Sequence, residues 1–440
     1  MSLAAISLIA LGLVILASTV TRVNPGVLAI VLAWVIGVYV APLSGDPIPV
    51  REILGGFPSN LFLTLVAVTL LFTQASVNGT LDKVAAVAVR WCRGNAGATP
   101  IMFFALAFAF SSVGAGNIAA AALISPMAMA TASRARIPAF LMVIAVGHGA
   151  LAGALSPISP TGVIAGGLMR EQLGLTGFEW AIYLHNMVAN AVVGIGGYLL
   201  LGGWRLFGRA SGSSRADRRE PDRAAIGGQS VAGDGSPGAE SGMTSTHWIT
   251  LAVITALVVG VIGFGVDVGM GAFAGSVILA LARLADPEAA VRRMPWSVML
   301  MVCGITVLTS MLERTGGSQL ITDFVGGIAG PESVSGIIAF LSGIISVYSS
   351  TSGVVLPAFL PMVGGIASAV GGDPLAVASS MIVGGHLVDS SPLSTIGALA
   401  IASAPPEEDR HLLFTRVLAW GLSMSVVGAV YCYVFFGLLA

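Results

Sequence analysis

Long apolar stretches recur along almost the whole chain, and they limit the possible folds more than any other feature. A helix of about 20 apolar residues crosses roughly 30 Å of hydrocarbon. Of the 440 residues, 56% are hydrophobic and 9% are charged, whereas a typical soluble domain has about 25% charged residues. The apolar stretches are continuous and do not alternate with polar residues, which excludes a transmembrane β-barrel. The sequence therefore predicts an all-α polytopic membrane protein.

One segment interrupts this apolar pattern near the middle of the chain. Residues 205–246 are rich in glycine, serine, alanine and charge, a composition typical of flexible, disordered linkers. They separate a first half, residues 1–204, from a second half, residues 247–440. The linker carries six arginines, and the positive-inside rule therefore predicts that it is cytoplasmic.

The apolar segment from Gly153 to Gly167, "GALSPISPTGVIAGG", contains residues that do not suit a membrane helix. Pro157 and Pro160 lie so close together that a helix should break there. A break frees backbone carbonyls that can bind a cation, and it exposes the positive end of a half-helix to an anion. A simple proline kink would not require the neighbouring hydroxyl groups. We therefore expect substrate ligands at this break, from Ser156, Pro157, Ser159 and Thr161.

The unusual residues of the first half recur in the second half at one constant offset. The matching pairs are Pro126 with Pro361, Ser156 with Ser391, Pro157 with Pro392, Ser159 with Ser394, and Gly162 with Gly397. Two apolar halves aligned by composition alone would rarely keep such a set in register. The sequence thus predicts a structural repeat, and it adds Ser391, Pro392, Ser394 and Thr395 as substrate ligands at a second break.

Each half also contains two shorter apolar pieces separated by a glycine-rich or serine-rich turn. These pieces predict re-entrant hairpins at about 98–132 and 334–370, each followed by a broken helix, at about 137–169 and 374–403. Each half then crosses the membrane five times, an odd number, so the second half must be inverted relative to the first. We expect the inner (cell) membrane, with both termini outside. This topology leaves only Arg51, Arg170 and Arg314 on the outer side.

The hairpin tips carry the other polar groups predicted to lie within the membrane. In the first tip Asn117 follows Gly116, where a backbone or a substrate can approach closely. In the second tip Thr351 and Ser352 fill the corresponding place, and with Asn117 they complete the predicted substrate ligands. A single membrane hydroxyl often bonds back to its own helix, but four consecutive ones beside a glycine favour a binding loop.

Ionisable groups within the predicted spans are few. Asp389 lies beside the second break, where it can ligate sodium, carry a proton or cap the following half-helix. His148 and His386 precede the two breaks and are candidate proton or substrate ligands, although buried histidines commonly bond to a neighbouring carbonyl. We predict a site for the coupling ion, with sodium at the hairpin tips, formed by Ser112, Gly116, Asn117, Ser350, Ser352, Asp389 and Ser390.

Inverted repeats with broken helices and hairpins are the architecture of secondary transporters. The segments "LFTQASVNGT", "PIMFFALAFAFSSVGAGN" and "GHGALAGALSPISPTG" most resemble the MatC-type dicarboxylate carriers, within the divalent anion:sodium symporters of the ion-transporter superfamily. The resemblance covers nearly the whole chain apart from the linker. It implies import of malonate or a related small dicarboxylate, coupled to sodium or protons, by a homodimer with an elevator motion. It implies no cofactor and no nucleic-acid partner.

The chain departs from the family pattern at both hairpin tips. The first tripeptide is Gly116-Asn117-Ile118 and the second is Thr351-Ser352-Gly353, so only one of the two family asparagines is present. The number and identity of the coupling ions therefore stay open. No lysine or arginine lies within a predicted span, so helix N-termini, hydroxyls and amides are expected to hold the anion.

Other functions are compatible with parts of this pattern. The large membrane subunit of a TRAP-type importer has similar hairpins but needs partner proteins, and a carrier of another small organic anion would look much the same. A membrane hydrolase, with Ser390 or Ser391 near His386, would have no use for the matching serine in the first half. A passive channel seldom needs two copies of a broken-helix site. Transport by a self-sufficient carrier is the favoured hypothesis.

Overall fold

The computed structural model describes residues 2–21, 23–91, 95–207 and 242–439. Every regular element in these ranges is helical. In the first half the helices are α1 (Leu3–Val20), α2 (Pro25–Val35), α3 (Val50–Gly55), α4 (Ser59–Val77), α5 (Thr80–Trp91), α6 (Ala98–Phe110), α7 (Asn117–Ala135), α8 (Ala139–Gly153), α9 (Pro160–Leu173) and α10 (Glu179–Leu200). Most of the predicted linker lies outside the described residues.

The second half repeats this order of elements. Its helices are α11 (Ser245–Phe264), α12 (Val268–Leu281), α13 (Pro287–Arg293), α14 (Trp296–Thr315), α15 (Gly317–Ile328), α16 (Val334–Tyr348), α17 (Leu356–Phe359), α18 (Val363–Val370), α19 (Pro374–Val388), α20 (Thr395–Ala402) and α21 (Arg410–Cys432). Within the described ranges, eight helices are long and apolar enough to cross a membrane. The predicted all-helical membrane protein is thereby confirmed.

Local sequence signals explain where many helices begin. Asn24, Asp286 and Asp373 each accept backbone N–H bonds at the start of a helix, and a proline follows each of them at the first helical position. A capping side chain accepts hydrogen bonds from N–H groups that have no partner within the helix. Proline fits the first helical position because an N–H group there would have no partner within the helix. These caps set the helix boundaries in the loops between apolar segments.

Small residues let helices from the two halves approach closely. A Cβ atom on Gly26 of α2 would lie 2.0 Å from the carbonyl oxygen of Leu300 in α14, and one on Gly304 would lie 2.2 Å from the carbonyl oxygen of Gly26. In the reciprocal pair, α12 packs on α4, where a Cβ atom on Gly275 would lie 3.3 Å from Cδ1 of Leu71. Close backbone contact of this kind stabilises helix pairs in lipid, where hydrophobicity gives no driving force for association.

Residues that correspond at the constant offset between the halves also make equivalent contacts in the structure. A Cβ atom on Gly149 would lie 2.3 Å from the carbonyl oxygen of Phe104, and one on Gly384 would lie 2.3 Å from that of Ala339. The same glycine thus brings α8 onto α6 in the first half and α19 onto α16 in the second. The two halves use equivalent residues for equivalent packing.

The hairpin arms are longer than the sequence pieces indicated. A π-helical turn, Ser111–Ala115, extends α6, and α7 continues to Ala135. Both arms of the first hairpin therefore reach a length that can cross a membrane, whereas α16, the first arm of the second hairpin, is shorter. The expectation of short arms was wrong for the first hairpin. The turn before the Gly116 bend contains Ser111, Ser112 and Gly114, so the sequence pattern marked it as part of the hairpin turn and not of the helix.

Candidate functional site

Both predicted helix breaks are present, and they have equivalent hydrogen bonds. Between α8 and α9, the Ser159 hydroxyl donates to the carbonyl oxygens of Ala154 and Ser156 and accepts from the N–H of Gly162. Between α19 and α20, the Ser394 hydroxyl donates to the carbonyl oxygens of Asp389 and Ser391. These serines therefore fix the two loops and are not free to bind a ligand through their protons.

A glycine in the first turn after each break allows the chain to fold back tightly. A Cβ atom on Gly162 would lie 1.9 Å from the carbonyl oxygen of Ser156, and one on Gly397 would lie 2.2 Å from that of Ser391. Both contacts are far shorter than real Cβ contacts, and the clashing atom is backbone. The conformation of each break therefore depends on glycine at this position.

We expect Gly162→Ala to distort the first break and to lower both thermal stability and transport. Forcing a methyl group into a packed site typically costs about 1–3 kcal/mol of folding free energy, and here the backbone itself must move. Thermal unfolding of the purified protein measures the effect. Gly196→Ala on α10 is the control, because a Cβ atom there has no neighbour within 4 Å. Equal stability of the two variants would contradict the proposed tight turn.

The two hairpin tips and the two breaks meet at one cavity of about 480 Å³. The size is within the usual range for small-molecule sites. Six of the predicted site residues line it: Gly116, Asn117, Thr161, Ser350, Ser352 and Thr395. Asn117, Thr161 and Ser352 are buried at its inner end. Residues far apart in the sequence are thus brought to one place.

A direct contact joins the halves at the inner end of this cavity. The hydroxyl oxygens of Thr161, from the first break, and Ser352, from the second tip, lie 3.1 Å apart. Four helical segments also begin at the cavity: α7 at Asn117, α9 at Pro160, the π-helical turn Thr351–Val355 that precedes α17, and α20 at Thr395. Their N-terminal N–H groups carry partial positive charge, which favours an anion.

The cavity has lining residues that the sequence analysis missed. Thr69, Thr73 and Ser76 form one face of α4, with Phe72 beside them. Their helical spacing was a signal for a polar helix face, but nothing in the sequence indicated that this face turns toward the breaks. Arg293, at the end of α13, also lines the cavity. The expectation that no basic side chain takes part was therefore incomplete, because it considered only the predicted spans.

Asp389 lies behind the second tip in a cluster of its own. Its carboxylate accepts a hydrogen bond of 2.9 Å from the Ser346 hydroxyl and a longer one, 3.5 Å, from the backbone N–H of Thr351. The Thr351 hydroxyl in turn contacts that of Ser346. Asp389 is buried, and none of the ion pairs among the described residues includes it.

The first half has no carboxylate at the corresponding position. Ala154 is the equivalent of Asp389, and Ser111 is the equivalent of Ser346. The Ser111 hydroxyl is buried and has no hydrogen-bond partner among the described residues. The two halves therefore differ in the charge and in the hydrogen bonding available behind their hairpin tips.

The remaining predicted site residues do not line the cavity. Ser156, Ser391 and Pro392 are buried within the breaks, and Pro157 faces a second cavity of about 390 Å³ on the other side of the first break. The Ser390 hydroxyl bonds to the carbonyl oxygen of Leu387, and the Ser112 hydroxyl lies 3.0 Å from that of Tyr183. These side chains hold the surrounding structure in place.

Neither predicted histidine lines the cavity. His148 accepts a hydrogen bond from the Trp420 indole N–H at Nε2, so its Nδ1 carries the proton and donates to Asn190. This arrangement links α8, α10 and α21. His386 donates from Nδ1 to the carbonyl oxygen of Ile382, and its buried Nε2 has no hydrogen-bond partner among the described residues.

Broken helices that meet at a partly open cavity inside a helical membrane protein are the arrangement found in membrane carriers. Residues 1–154 match the sequence profile of the family described as "Dicarboxylate carrier protein MatC N-terminus". The resemblance drawn from the sequence is thereby confirmed for that part of the chain. The match over these residues, together with the helical membrane fold, points to a transporter and not to an enzyme.

Solved structures with a similar fold include the YdaH transporter of Alcanivorax borkumensis, whose crystal structure is described as revealing an unusual topology. The two proteins share 18% sequence identity, with a TM-score of 0.56, over 88% of this chain and 87% of the YdaH chain. At this identity the similarity concerns the fold alone. A comparison with curated protein sequences found no significant match.

Proposed function

We propose that the protein is a secondary active transporter that imports a small dicarboxylate, of the malonate or C4-dicarboxylate class, together with sodium ions or protons. The observation that carries this proposal is the convergence of both tips and both breaks on one cavity. Among the described lining residues, Arg293 is charged and no acidic side chain occurs. Four helix N-termini, several hydroxyls and one amide thus offer an anion donors without a repelling charge.

The coupling ion is proposed to bind near the hairpin tips. Asp389, Ser346 and Thr351 supply oxygen ligands suited to sodium or to a carried proton. A buried carboxylate surrounded by neutral donors is costly unless a cation or a proton accompanies it. In the first half, Ser111 occupies the position equivalent to Ser346, and its hydroxyl has no hydrogen-bond partner among the described residues. The ion would offset part of the negative charge of the substrate in the adjacent cavity.

The orientation of the cavity follows from the predicted topology. Its exposed lining residues include Ser76 at the end of α4 and Arg293 and Pro295 before α14, and the buried Leu81 at the start of α5 lies beside them. The positive-inside rule assigns all these segments to the cytoplasmic side. The proposed state is therefore inward-facing, with the two halves inverted relative to each other.

The first break contributes residues to this cavity and to the second cavity of about 390 Å³. Thr161 and Pro160 line the inward-facing cavity, whereas Pro157 and Val163 line the other. The first break thus separates two spaces that alternating access would connect to the substrate in turn. A homodimer with an elevator motion of the hairpins and breaks is the corresponding proposal for the conformational change.

Reconstitution of the purified protein into liposomes tests the function. We expect radiolabelled malonate or succinate to accumulate inside the liposomes under an inward sodium gradient or an inward proton gradient, each applied separately. Protein-free liposomes are the control. Accumulation without added proteins would identify a self-sufficient carrier and exclude a TRAP-type subunit. The proposal would be wrong if neither gradient drove uptake of either acid by protein that is monodisperse and inserted.

A further inference from the structure

We propose that Arg293 binds a carboxylate group of the substrate at the cytoplasmic mouth of the cavity. The inference rests on the proposed function and adds a residue that determines specificity for dianions. It starts from an unexpected position: α13 is a short helix between spans, yet its last residue lines the same cavity as Asn117 and Ser352.

The electrostatic surroundings of Arg293 favour an anion from the solution as its partner. None of the three ion pairs among the described residues includes Arg293, and its side chain is exposed. The cavity lining contains no described carboxylate that would compete for it. A guanidinium group presents a planar set of N–H donors that fits a carboxylate in two-point contact.

Its neighbour in the sequence, Arg292, behaves differently. Arg292 forms an exposed ion pair of 2.9 Å with Glu288, one helical turn earlier, and it does not line the cavity. Two adjacent arginines at the end of a helix also complement its dipole and follow the positive-inside rule. Those roles apply equally to both residues, so a difference between them isolates the role in the cavity.

The repeat explains why this residue would act on one side of the membrane. Pro58 and Pro295 precede α4 and α14, and counting back from each proline aligns Arg293 with Gly56. A Cβ atom on Gly56 would lie 2.9 Å from Cβ of Ser310, so that position has no room for a long side chain. The cation therefore occurs in one of the two repeats, at the mouth assigned to the cytoplasm.

Because Arg293 lies at the exposed end of the cavity, the two carboxylates of one substrate molecule would bind at two different depths. The hydroxyls and the amide at the inner end, from Thr161, Ser352 and Asn117, are buried and can hold one carboxylate. A second carboxylate of the same molecule would extend toward the mouth and meet Arg293. A monocarboxylate would leave the guanidinium in water and would gain little from it.

The experiment measures the half-saturating concentration of malonate at each face of liposomes in which the protein has one known orientation. We expect Arg293→Gln to raise this concentration by about fivefold at the linker face and to leave it unchanged at the other face. The monomethyl ester of malonate should show no such change. Arg293→Lys should recover part of the affinity, and added salt should reduce the effect.

Arg292→Gln is the matched control and should leave both faces unchanged. Size-exclusion profiles and melting temperatures equal to those of the unmodified protein show that the variants fold. Affinity at the linker face that is unchanged in Arg293→Gln, or equally changed in Arg292→Gln, would overturn the inference. An unmodified protein that transports neither acid would instead contradict the proposed function itself.

Discussion

Replacing Asp389 with asparagine is expected to abolish accumulation of the dicarboxylate against its gradient. The carboxylate is buried, and among the described residues its hydrogen-bond donors are the neutral groups of Ser346 and Thr351. Asparagine keeps the size of the side chain but loses the negative charge that would hold a sodium ion or release a proton. Removing one member of a buried charge pair typically costs about 3–5 kcal/mol, so ion-driven uptake should fall by about 100-fold or more.

Exchange of malonate across the membrane, measured without a gradient, then distinguishes the two ions. The amide resembles a protonated carboxyl group, so exchange should persist in Asp389→Asn if the carried ion is a proton. If the ion is sodium, the lost ligand should weaken exchange as well. Asp323→Asn is a suitable control, because Asp323 is exposed on α15 and bonds to Gln319. Normal ion-driven accumulation by Asp389→Asn would contradict the assigned role.

The second large effect is expected at the hairpin tips. Asn117→Ala and Ser352→Ala should each reduce cation-driven uptake to the background of protein-free liposomes, while the protein stays folded and inserted. The two residues occupy equivalent positions, both are buried, and both line the cavity. A hydrogen bond to a charged group contributes about 1.5–3 kcal/mol, and Ser352→Ala also removes the hydroxyl that contacts Thr161 of the first half.

The control for these variants lies in the same segment. Ser349 precedes the second tip, but its hydroxyl bonds back to the carbonyl oxygen of Ile345 and does not line the cavity. Ser349→Ala should therefore transport at close to the normal rate. If it lost transport to the same extent as Ser352→Ala, the loss would reflect damage to the tip and not removal of a ligand.

The parts of the fold that the sequence predicted are those with strong local signals. Pro157 and Pro392 lie in the two breaks between helices, and Gly116 permits the backbone at φ +80° that turns the first hairpin. The recurrence of these residues at a constant offset then identified the two breaks as equivalent parts of a structural repeat. Such features depend on a few neighbouring residues and can be recognised without the rest of the structure.

The parts that the sequence did not predict depend on contacts between distant segments. The polar face of α4 looks like any set of hydroxyls bonded to their own helix, as Thr69 and Thr73 indeed are. Arg293 looks like a positive-inside residue at a helix end. The partners of Asp389, which are Ser346 and Thr351, belong to the preceding hairpin and lie far from it in the sequence. Only the tertiary packing, within the second half for Asp389 and between the halves for α4 and Arg293, brings these groups to the tips and breaks.

The central claim, that the substrate binds between the tips and breaks of both halves, is tested most directly by protection of a single cysteine. The native cysteines are first replaced, and Thr395→Cys is introduced at the second break, where the side chain is exposed in the cavity. We expect a membrane-impermeant thiol reagent to label this cysteine from the linker side, and malonate to slow the labelling severalfold. A cysteine at Ser403, beyond the cavity, should label without protection. Labelling at Thr395→Cys that saturating malonate does not slow, in protein that still transports malonate, would contradict the account.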